Sequence, residues 1–379
     1  MKSKNIYLDN HSSTQIDKRV YKKMKPFLTG IFGNPHSESH SHGWISKKFI
    51  DLSREKIAKT INSRNEEIFF TSGATEANNL ILKGLAFSQK KKNHIITCVT
   101  EHKCVLESCK FLESIGCKIT YLKINKFGEL NLDELKKKIS NKTFLVSLMH
   151  VNNEIGTIHP IKKIGEICKK KGVFFHSDAS QSLGKVKFDV NYLNLDFASF
   201  SSHKIYGPQG IGGLFVRKRK DFKITPLLSG GGQENGLRSG TLPTALCVGF
   251  GYAVELVEKE RIKSMKKISK LKKIFLNKLK KNNIQFILNG KDSVENNINI
   301  TFPEINGDFL FSKLDNISIS SGSACGSGSG DSSYVLKELG ISSKYAKSTL
   351  RIGIGNNNTE SDIQHLSSKI IKILKKHNG

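Results

Sequence analysis

Short apolar runs alternate with segments of helical periodicity through the middle of the chain. The apolar runs are typical of strands that are buried on both faces of a sheet. They lie at residues 67–70, 94–99, 118–122, 143–149, 173–176, 197–200 and 213–216. Between several of them, apolar positions repeat as on an amphipathic helix, at residues 76–86, 105–114, 132–139 and 161–171. This alternation predicts an α/β fold with a mainly parallel seven-stranded sheet in a large domain, covered by helices on both faces.

A second pattern begins after Pro243, where helical periodicity continues to about Lys281. The remainder predicts a strand at 298–302, a helix at 309–314, a strand at 317–320, a helix at 333–339, a strand at 349–354 and a last helix at 361–375. A chain of 379 residues is long enough for two domains. We expect a large domain at residues 15–258. A smaller α+β domain would combine residues 1–14 and 259–379 and carry a mobile loop at 320–333.

The chain is strongly basic, with a formal net charge of +28. A nucleic-acid-binding protein would explain this charge. However, the lysines are widely spread, and the densest segment, 259–281, keeps an apolar stripe formed by Ile262, Met265, Ile268, Leu271, Phe275 and Leu279. Such a stripe predicts core packing on one face and solvated charge on the other. We therefore expect compositional bias and no stable nucleic-acid binding.

The lack of a visible targeting signal and the pattern of cysteines predict a cytoplasmic protein. No apolar stretch follows the first lysines, and the longest apolar run, around 244–257, is interrupted by glycines and a glutamate. The seven cysteines contain no CxxC pair, which argues against disulfides and a structural zinc site. Six lie in apolar segments and are predicted to be small buried side chains. Cys325 instead lies in the Gly/Ser-rich loop 320–333, where a thiol could enter a site and carry a group away.

Two strand ends carry groups that could bind a ligand. The segment 70–76 runs from a strand through small residues into a helix, so its free N–H groups and the Thr75 hydroxyl could bind an anion. Asp178 follows the strand predicted at 173–176, at the end where α/β sheets bind ligands. Helix capping is the alternative role for this aspartate.

Lys204 lies among hydroxyls and glycines after another predicted strand, an unusual place for a merely solvated lysine. A lysine amine forms Schiff bases, and Ser201 and His203 could hold a phosphate beside it. Together with Asp178, which would keep a pyridine nitrogen protonated, this set predicts a pyridoxal-phosphate site. His102 could stack on the cofactor ring and move protons, although simple packing is the commoner role of a single histidine.

The sequence resembles cysteine desulfurases of the IscS/NifS type, which belong to the class-V aminotransferases among the fold-type-I pyridoxal-phosphate enzymes. The resemblance extends from Ile6 to about Leu366. It rests on ten motifs in order: YLDN, FGNPHS, TSGATEANNL, TEHKCVLE, HVNNEIGTI, HSDASQSLGK, SSHKIYGPQGIGGLFVR, GGGQENGLRSGT, SSGSACGS and LRIGIG.

The resemblance implies a role for each matching position. Lys204 would bind pyridoxal 5'-phosphate covalently, Asp178 would pair with its ring nitrogen and Gln181 with its phenolic oxygen. His102 would stack on the ring as acid and base. Arg351 would clamp the substrate carboxylate as a bidentate partner. The remaining positions would surround the phosphate (Ala74, Thr75, Ser201, Ser202 and His203), reach the phosphate in a partner subunit (Thr241), line the cofactor and substrate side (Asn153), or bind the substrate (Asn34). The role of Thr241 implies a homodimer.

The implied reaction removes sulfur from L-cysteine, gives L-alanine and leaves a persulfide on Cys325. Sulfur-acceptor proteins, such as an iron–sulfur scaffold or tRNA-thiolation enzymes, would receive the sulfur. No intrinsic metal is expected, although Cys325 could briefly contact a cluster on a scaffold partner. A selenocysteine lyase and an aminotransferase are the alternatives on this fold. Two segments depart from many relatives. The stretch 11–14 leaves the fine shape of the substrate pocket open, and the short tail after the last helix leaves the docking of an iron–sulfur scaffold open.

Overall fold

Three sheets and eleven helices make up the part of the chain that the computed structural model describes, residues 5–89, 91–321 and 333–377. The strands are β1 (Ile6–Tyr7), β2 (Ile68–Thr71), β3 (His94–Cys98), β4 (Lys118–Leu122), β5 (Thr143–Ser147), β6 (Phe174–Asp178), β7 (Phe197–Ser201), β8 (Gly212–Val216), β9 (Ile287–Leu288), β10 (Asn297–Thr301), β11 (Ile317–Ser318), β12 (Ser320–Ser321) and β13 (Thr349–Gly353). The helices are α1 (Lys18–Thr29), α2 (Ser41–Ile61), α3 (Ala74–Ser88), α4 (Lys103–Ser114), α5 (Leu132–Lys138), α6 (Ile161–Lys171), α7 (Thr244–Lys281), α8 (Gly307–Ser312), α9 (Tyr334–Glu338), α10 (Ser343–Lys347) and α11 (Glu360–His377).

The predicted fold class is confirmed by the central sheet. Its seven strands follow the order β2-β8-β7-β6-β5-β3-β4. All neighbouring pairs are parallel except the two that involve β8, which runs antiparallel to β2 and β7. Each of the seven predicted strands lies within two residues of an observed one, because five-residue apolar runs such as Thr143–Ser147 are buried throughout. The carboxyl ends of β3, β5, β6 and β7 therefore meet at one edge of the sheet.

Local sequence signals determine where the helices that cover this sheet begin and end. Asp17 caps α1 by accepting from the Arg19 backbone N–H, and Asn131 caps α5 in the same way. Helix α6 ends at Gly172, whose φ of 63° is in the left-handed region that favours glycine. Helix α2 ends in the same conformation at Asn62. The helices α1 and α2 are absent from the sequence-based description, although α1 buries Val20, Met24 and Phe27 at helical spacing.

The long helix α7 belongs to two hydrophobic cores. Its first part, up to Val257, packs with the central sheet, whereas Ile268 to Leu279 pack with the small sheets and α11. The predicted stripe is confirmed for most of its positions but is wrong for Ile262, whose side chain is 76% exposed in the stretch between the cores. No helix in the described ranges is long and apolar enough to cross a membrane.

The smaller core is built from both ends of the chain. Strand β1 pairs in parallel with β11, and the antiparallel sheet β12-β13-β10-β9 lies beside it. The single strand predicted at 317–320 is thus two short strands in different sheets. Ile6 and Leu8 pack in the same cluster as residues of α7, β10, β13 and α11. This arrangement brings the N-terminal segment and β13 to the edge of the central sheet.

Candidate active site

A cavity of about 490 Å³ opens at the carboxyl ends of the central strands. Such a volume is within the usual range for a cofactor site. Residues from the N-terminal segment, from the ends of β2, β3, β5, β6 and β7, and from β13 form its wall. Ten of the residues predicted from the sequence line it: Ala74, Thr75, His102, Asn153, Asp178, Gln181, Ser201, His203, Lys204 and Arg351.

Asp178 is the last residue of β6, and three hydrogen bonds hold its carboxylate. Oδ1 accepts from the Ser180 backbone N–H at 2.9 Å and from the Ser180 hydroxyl at 2.6 Å. Oδ2 accepts from the Asn78 side-chain amide at 2.7 Å. These donors fix the orientation of the carboxylate, which lines the cavity at this end of β6. A protonated ring nitrogen is a suitable partner for such a group.

Lys204 lies in a single 3-10 turn that follows β7. Its Nζ donates to the backbone carbonyls of His11 at 2.8 Å and Ser12 at 2.6 Å, so the N-terminal segment holds the amine at the cavity. His203 beside it contacts the Ser13 hydroxyl through Nδ1. Burial and the charges of Lys204 and Lys185 lower the pKa of His203 to about 4. This histidine is therefore neutral near pH 7.

The start of α3 forms an anion cradle on the opposite wall. The first backbone N–H groups of a helix have no carbonyl partner within it, and here they begin at Ala74 and Thr75. Gly73 has open space where a Cβ would be, while a Cβ on Gly212 would lie 2.6 Å from the Gly73 Cα. The two glycines therefore let β8 approach the turn closely and leave room in front of it. A phosphate fits this place.

His102 ends the β3 turn and caps α4. Its Nδ1 accepts from the Cys104 backbone N–H at 3.3 Å and contacts the Cys104 Sγ at 3.1 Å. Because a backbone N–H can only donate, the lone pair of the neutral ring is on Nδ1 and the proton is on Nε2. Burial lowers the pKa of His102, so this neutral form persists. His102 therefore uses Nδ1 as a hydrogen-bond acceptor in capping α4 and keeps the Nε2–H as a donor.

Cys104 corrects the sequence-based description of the cysteines. It was predicted to be a buried packing residue, but it is only partly buried and lines the cavity. Its Sγ accepts from the Asn78 amide at 3.2 Å, and the same amide nitrogen donates to Asp178. Burial raises the pKa of the Cys104 thiol to about 12, so it stays protonated. Asn78 and Cys104 thus connect Asp178 with His102.

Arg351 reaches the cavity from β13 and is only 3% exposed. Its Nη2 donates to the Asp9 carboxylate at 3.0 Å and the Ser12 hydroxyl at 2.7 Å, and Nη1 donates to the Asn153 carbonyl at 3.2 Å. In the described part of the chain, the Arg351 Nε and the Asn153 Oδ1 have no hydrogen-bond partner. A buried guanidinium with donor capacity left can bind a small carboxylate.

Three of the predicted residues that the structure describes are not part of this cavity wall. Ser202 is buried behind it, and Asn34 and Thr241 are exposed elsewhere on the chain. Cys325 lies outside the described residues. The described chain resumes at Ser333, whose hydroxyl donates to the buried Glu154 carboxylate and whose position caps α9. Burial raises the pKa of Glu154 to about 7.

The sequence-based set also omitted several residues that contribute to the site. His11, Ser12 and Ser13 line the cavity because β1 and the turn after it return to the end of β7. Lys185 bonds the Gln181 side chain from just outside the wall. Lys185 ends the HSDASQSLGK motif, whereas residues 11–14 follow the YLDN motif and depart from many relatives. Only the three-dimensional contacts give them a function.

The charges and unpaired polar atoms of the cavity fit pyridoxal phosphate. Arg351, Lys204 and Lys185 bring positive charge, and burial raises the pKa of Glu101 well above its usual value, which removes a negative one. A strand-end carboxylate, an amine and a helix-start cradle match the ring nitrogen, aldehyde and phosphate of that cofactor. Enzymes that use pyridoxal phosphate combine these groups on a mainly parallel α/β fold, and the chain is one of them.

The chain belongs to the class-V aminotransferase family, whose model matches residues 6–366. This confirms the family and the cofactor expected from the motifs. The chain is 49% identical to "Cysteine desulfurase IscS" of Rickettsia rickettsii (strain Iowa) over 375 residues, which cover 97% of this chain and 92% of the relative.

Two solved structures extend the similarity to the fold. A structure titled "NIFS-LIKE PROTEIN" has a TM-score of 0.91 at 37% identity and covers 98% of this chain and 100% of its own. A second, "SspA in complex with cysteine", has a TM-score of 0.84 at 40% identity over 93% of this chain and 100% of its own.

Proposed function

We propose that the chain is a cysteine desulfurase, which removes sulfur from L-cysteine and gives L-alanine and a persulfide on Cys325. The observation that carries this proposal is that Lys204, Asp178 and Arg351 line the same cavity. The first two suit the cofactor, and the third suits the carboxylate of an amino acid. The identity to proteins named cysteine desulfurase supports the choice of cysteine among amino acids.

The proposed cofactor contacts follow the walls of the cavity. Lys204 binds the cofactor covalently, Asp178 pairs with the ring nitrogen, Gln181 bonds the phenolic oxygen and His102 stacks on the ring. The phosphate binds among Ala74, Thr75, Ser201 and His203, and Ser202 supports this wall from behind. When bound, pyridoxal phosphate withdraws electrons from the α-carbon of the amino acid, which makes its proton and its neighbouring bonds labile.

His102 is proposed as the acid and base of the reaction, and Arg351 is proposed to bind the substrate carboxylate. With Nδ1 fixed as an acceptor at the start of α4, the other ring nitrogen of His102 carries a hydrogen, so the neutral resting ring offers the cavity a hydrogen-bond donor at Nε2. Arg351 orients the substrate carboxylate, and Asn153 lines the same cavity. Asp9 and Ser12 already hold the guanidinium, so its orientation is fixed before the substrate binds.

Cys325 receives the sulfur. Its thiolate forms an S–S bond to the substrate sulfur while the C–S bond breaks, and the electron pair of that bond remains on the carbon chain. Protonation of the carbon chain then yields alanine. We place this residue on the loop 320–333 of a small domain, residues 1–14 and 259–379, beside a large cofactor-binding domain, residues 15–258. The bond from Ser333 to Glu154 supports an anchored end of this loop.

We further propose a cytoplasmic homodimer in which Thr241 completes the phosphate site of the partner subunit. The exposed position of Thr241, outside the cavity of its own chain, supports this role. Sulfur-acceptor proteins for iron–sulfur cluster assembly or tRNA thiolation would take the persulfide.

Product analysis tests the proposed function. The purified enzyme with L-cysteine should form alanine and persulfide sulfur in equal amounts before any reductant is added. An aminotransferase would instead form a keto acid from the amino acid. A selenocysteine lyase would be active on selenocysteine and inactive on cysteine. Keto-acid formation without alanine would refute the desulfurase assignment.

A further inference from the structure

A second lysine contacts the cofactor site from just outside its wall. Lys185 lies four residues after Gln181, in the turns that follow β6. Its Nζ donates to the Gln181 Oε1, and it is partly buried. Lys187, two residues further on, is exposed. The two lysines therefore differ sharply in environment although they are neighbours in sequence.

Two contacts determine which way the Gln181 amide faces. An ammonium group only donates, so the atom that contacts Lys185 must be the carbonyl oxygen. A backbone carbonyl only accepts, so the atom 3.0 Å from the His11 carbonyl must be the amide nitrogen. The nitrogen carries two hydrogens, and this contact uses one. Since Gln181 lines the cavity, its amide offers the cavity a donor.

Lys185 is also a cation without an acidic partner. Among the residues that the structure describes, no carboxylate lies within ion-pair distance of its Nζ, and its charged neighbour is Lys204. Burial and the charge of Lys204 lower the pKa of Lys185 to about 7. A buried cation in this setting is stabilised by an anion nearby. The phenolic oxygen of the bound cofactor is an anionic group of the required kind.

The other charged and titratable groups around Lys185 and Lys204 do not provide that anion. His11 is neutral because burial and the charges of Lys185 and Arg351 keep its pKa well below the usual value. His203 is neutral because burial and the charges of Lys204 and Lys185 lower its pKa to about 4. Asp178 is held by Asn78 and Ser180 at the end of β6, and Asp9 pairs with Arg351.

We propose that Lys185 is a positioning residue, which fixes the Gln181 amide as a donor toward the cofactor and adds a positive charge beside the cofactor's anionic oxygen. The proposal rests on the role of Gln181 in the proposed function. It does not depend on which amino acid is the substrate. Lys185 acts through Gln181 and through its charge, and the cofactor-bound lysine remains Lys204.

The test is a pH titration of the visible absorbance of the cofactor-loaded enzyme, without substrate. In Lys185→Met, the loss of a neighbouring positive charge should favour the protonated form of the chromophore. We expect its transition to move up by about 1 pH unit. Lys185→Arg keeps a donor and a charge and should stay near the wild-type value. Lys187→Met removes an exposed, screened charge and should leave the transition unchanged.

Each outcome decides the proposal. A Lys185→Met curve that overlays the wild type, or an equal shift in Lys187→Met, would overturn it. If Lys185→Met melts normally but binds no cofactor while Lys185→Arg binds it, the proposed charge is supported. If neither variant binds cofactor and both melt like the empty wild type, the proposal is wrong. The titration contains no cysteine. The shift of the absorbance transition can therefore be interpreted even if the desulfurase assignment is wrong.

Discussion

The two ends of the central sheet both carry charged cavities, but they differ in how the charges are paired. The cavity at the amino ends of the parallel strands has a volume of about 730 Å³ and is larger than the one at the carboxyl ends. There, Arg219 pairs with Asp196 at 2.8 Å and with Asp221. Arg217 donates to the carbonyls of Val190 and Leu195. These charges are already satisfied by the protein.

The carboxyl end shows the opposite pattern. Lys185 is bonded to an amide and not to an acid, and the Arg351 Nε lacks a hydrogen-bond partner among the described residues. A protein tolerates such groups where a ligand completes them. If the candidate active site were chosen by cavity volume, the cavity at the amino ends of the strands would be chosen, which is the wrong end of the sheet. The cavity whose polar groups lack partners within the ranges that the structure describes lies at the carboxyl ends of the strands, where α/β folds bind their ligands.

The largest effect is expected from the lysine at the carboxyl end. Lys204→Ala should remove the covalent link to the cofactor and lower the rate of alanine formation by about 10³-fold or more. The matched change at the amino end, Arg219→Met, should leave the rate within about twofold, because its ion pairs lie at the end of the sheet away from the candidate active site. Borohydride reduction and peptide mapping measure the link. A reduced adduct on another lysine would contradict this assignment of roles.

A smaller effect is expected from the carboxylate at the end of β6. Asp178→Asn keeps the size of the side chain but removes the charge opposite the ring nitrogen. We expect cofactor to remain bound and the rate of alanine formation to fall by about 10²- to 10³-fold. Steady-state kinetics at saturating cysteine, with cofactor content measured in parallel, give the answer. A wild-type rate in this variant would mean that Asp178 only caps the following turn.

The last prediction of this comparison concerns acid stability, where no effect on the rate at neutral pH is expected. His150 lies shortly after β5, His159 just before α6 and His176 in β6; all three are buried, and burial lowers their pKa values to about 3, 4 and 4. Below pH 6.5 the unfolded chain takes up protons that the folded chain does not. The free energy of unfolding should therefore fall between pH 6.5 and about 4, by up to about 1.4 kcal/mol per pH unit for each histidine. Above pH 6.5 this loss is absent.

Urea unfolding of the protein at pH 7.5, 6.0 and 5.0 measures this slope. His150→Phe should make the slope shallower by about one proton, since phenylalanine fills the same space without titrating. At the amino end, burial raises the pKa of Asp196, so this carboxyl acts in the opposite direction. An unchanged slope in His150→Phe would show that this histidine is already protonated in the folded protein.

Much of the central sheet could be predicted because burial on both faces leaves a continuous apolar run. Thr143–Ser147 and Phe197–Ser201 are such runs. Helices α1 and α2 lacked this signal, since Trp44, Leu52 and other large side chains on them are exposed. The strands β11 and β12 could not be separated in sequence. Their division depends on pairing with β1 and β13, which lie far away in the chain.

The site was predictable where strand ends and motifs coincide, as at Asp178 and Lys204. The contacts of His11, Cys104 and Lys185 were not, because each depends on a distant partner. His11 meets Gln181 only when the N-terminal turn packs against the end of β6. Cys104 looked like an ordinary apolar residue of α4, yet its first-turn position directs the thiol toward His102. Periodicity does not carry this information.

The most direct test of the proposed desulfurase is a single-turnover reaction of Cys325→Ser, compared with Cys117→Ser, a change at a partly buried cysteine away from the cavity. Alanine, persulfide sulfur and the cofactor spectrum are measured together after cysteine is added. We expect Cys325→Ser to keep the cofactor spectrum and to form alanine only at background, because a serine hydroxyl cannot accept sulfur as a persulfide. Cys117→Ser should form one alanine and one persulfide per site. Alanine formation by Cys325→Ser at the wild-type rate would contradict the assignment of Cys325 as the sulfur acceptor.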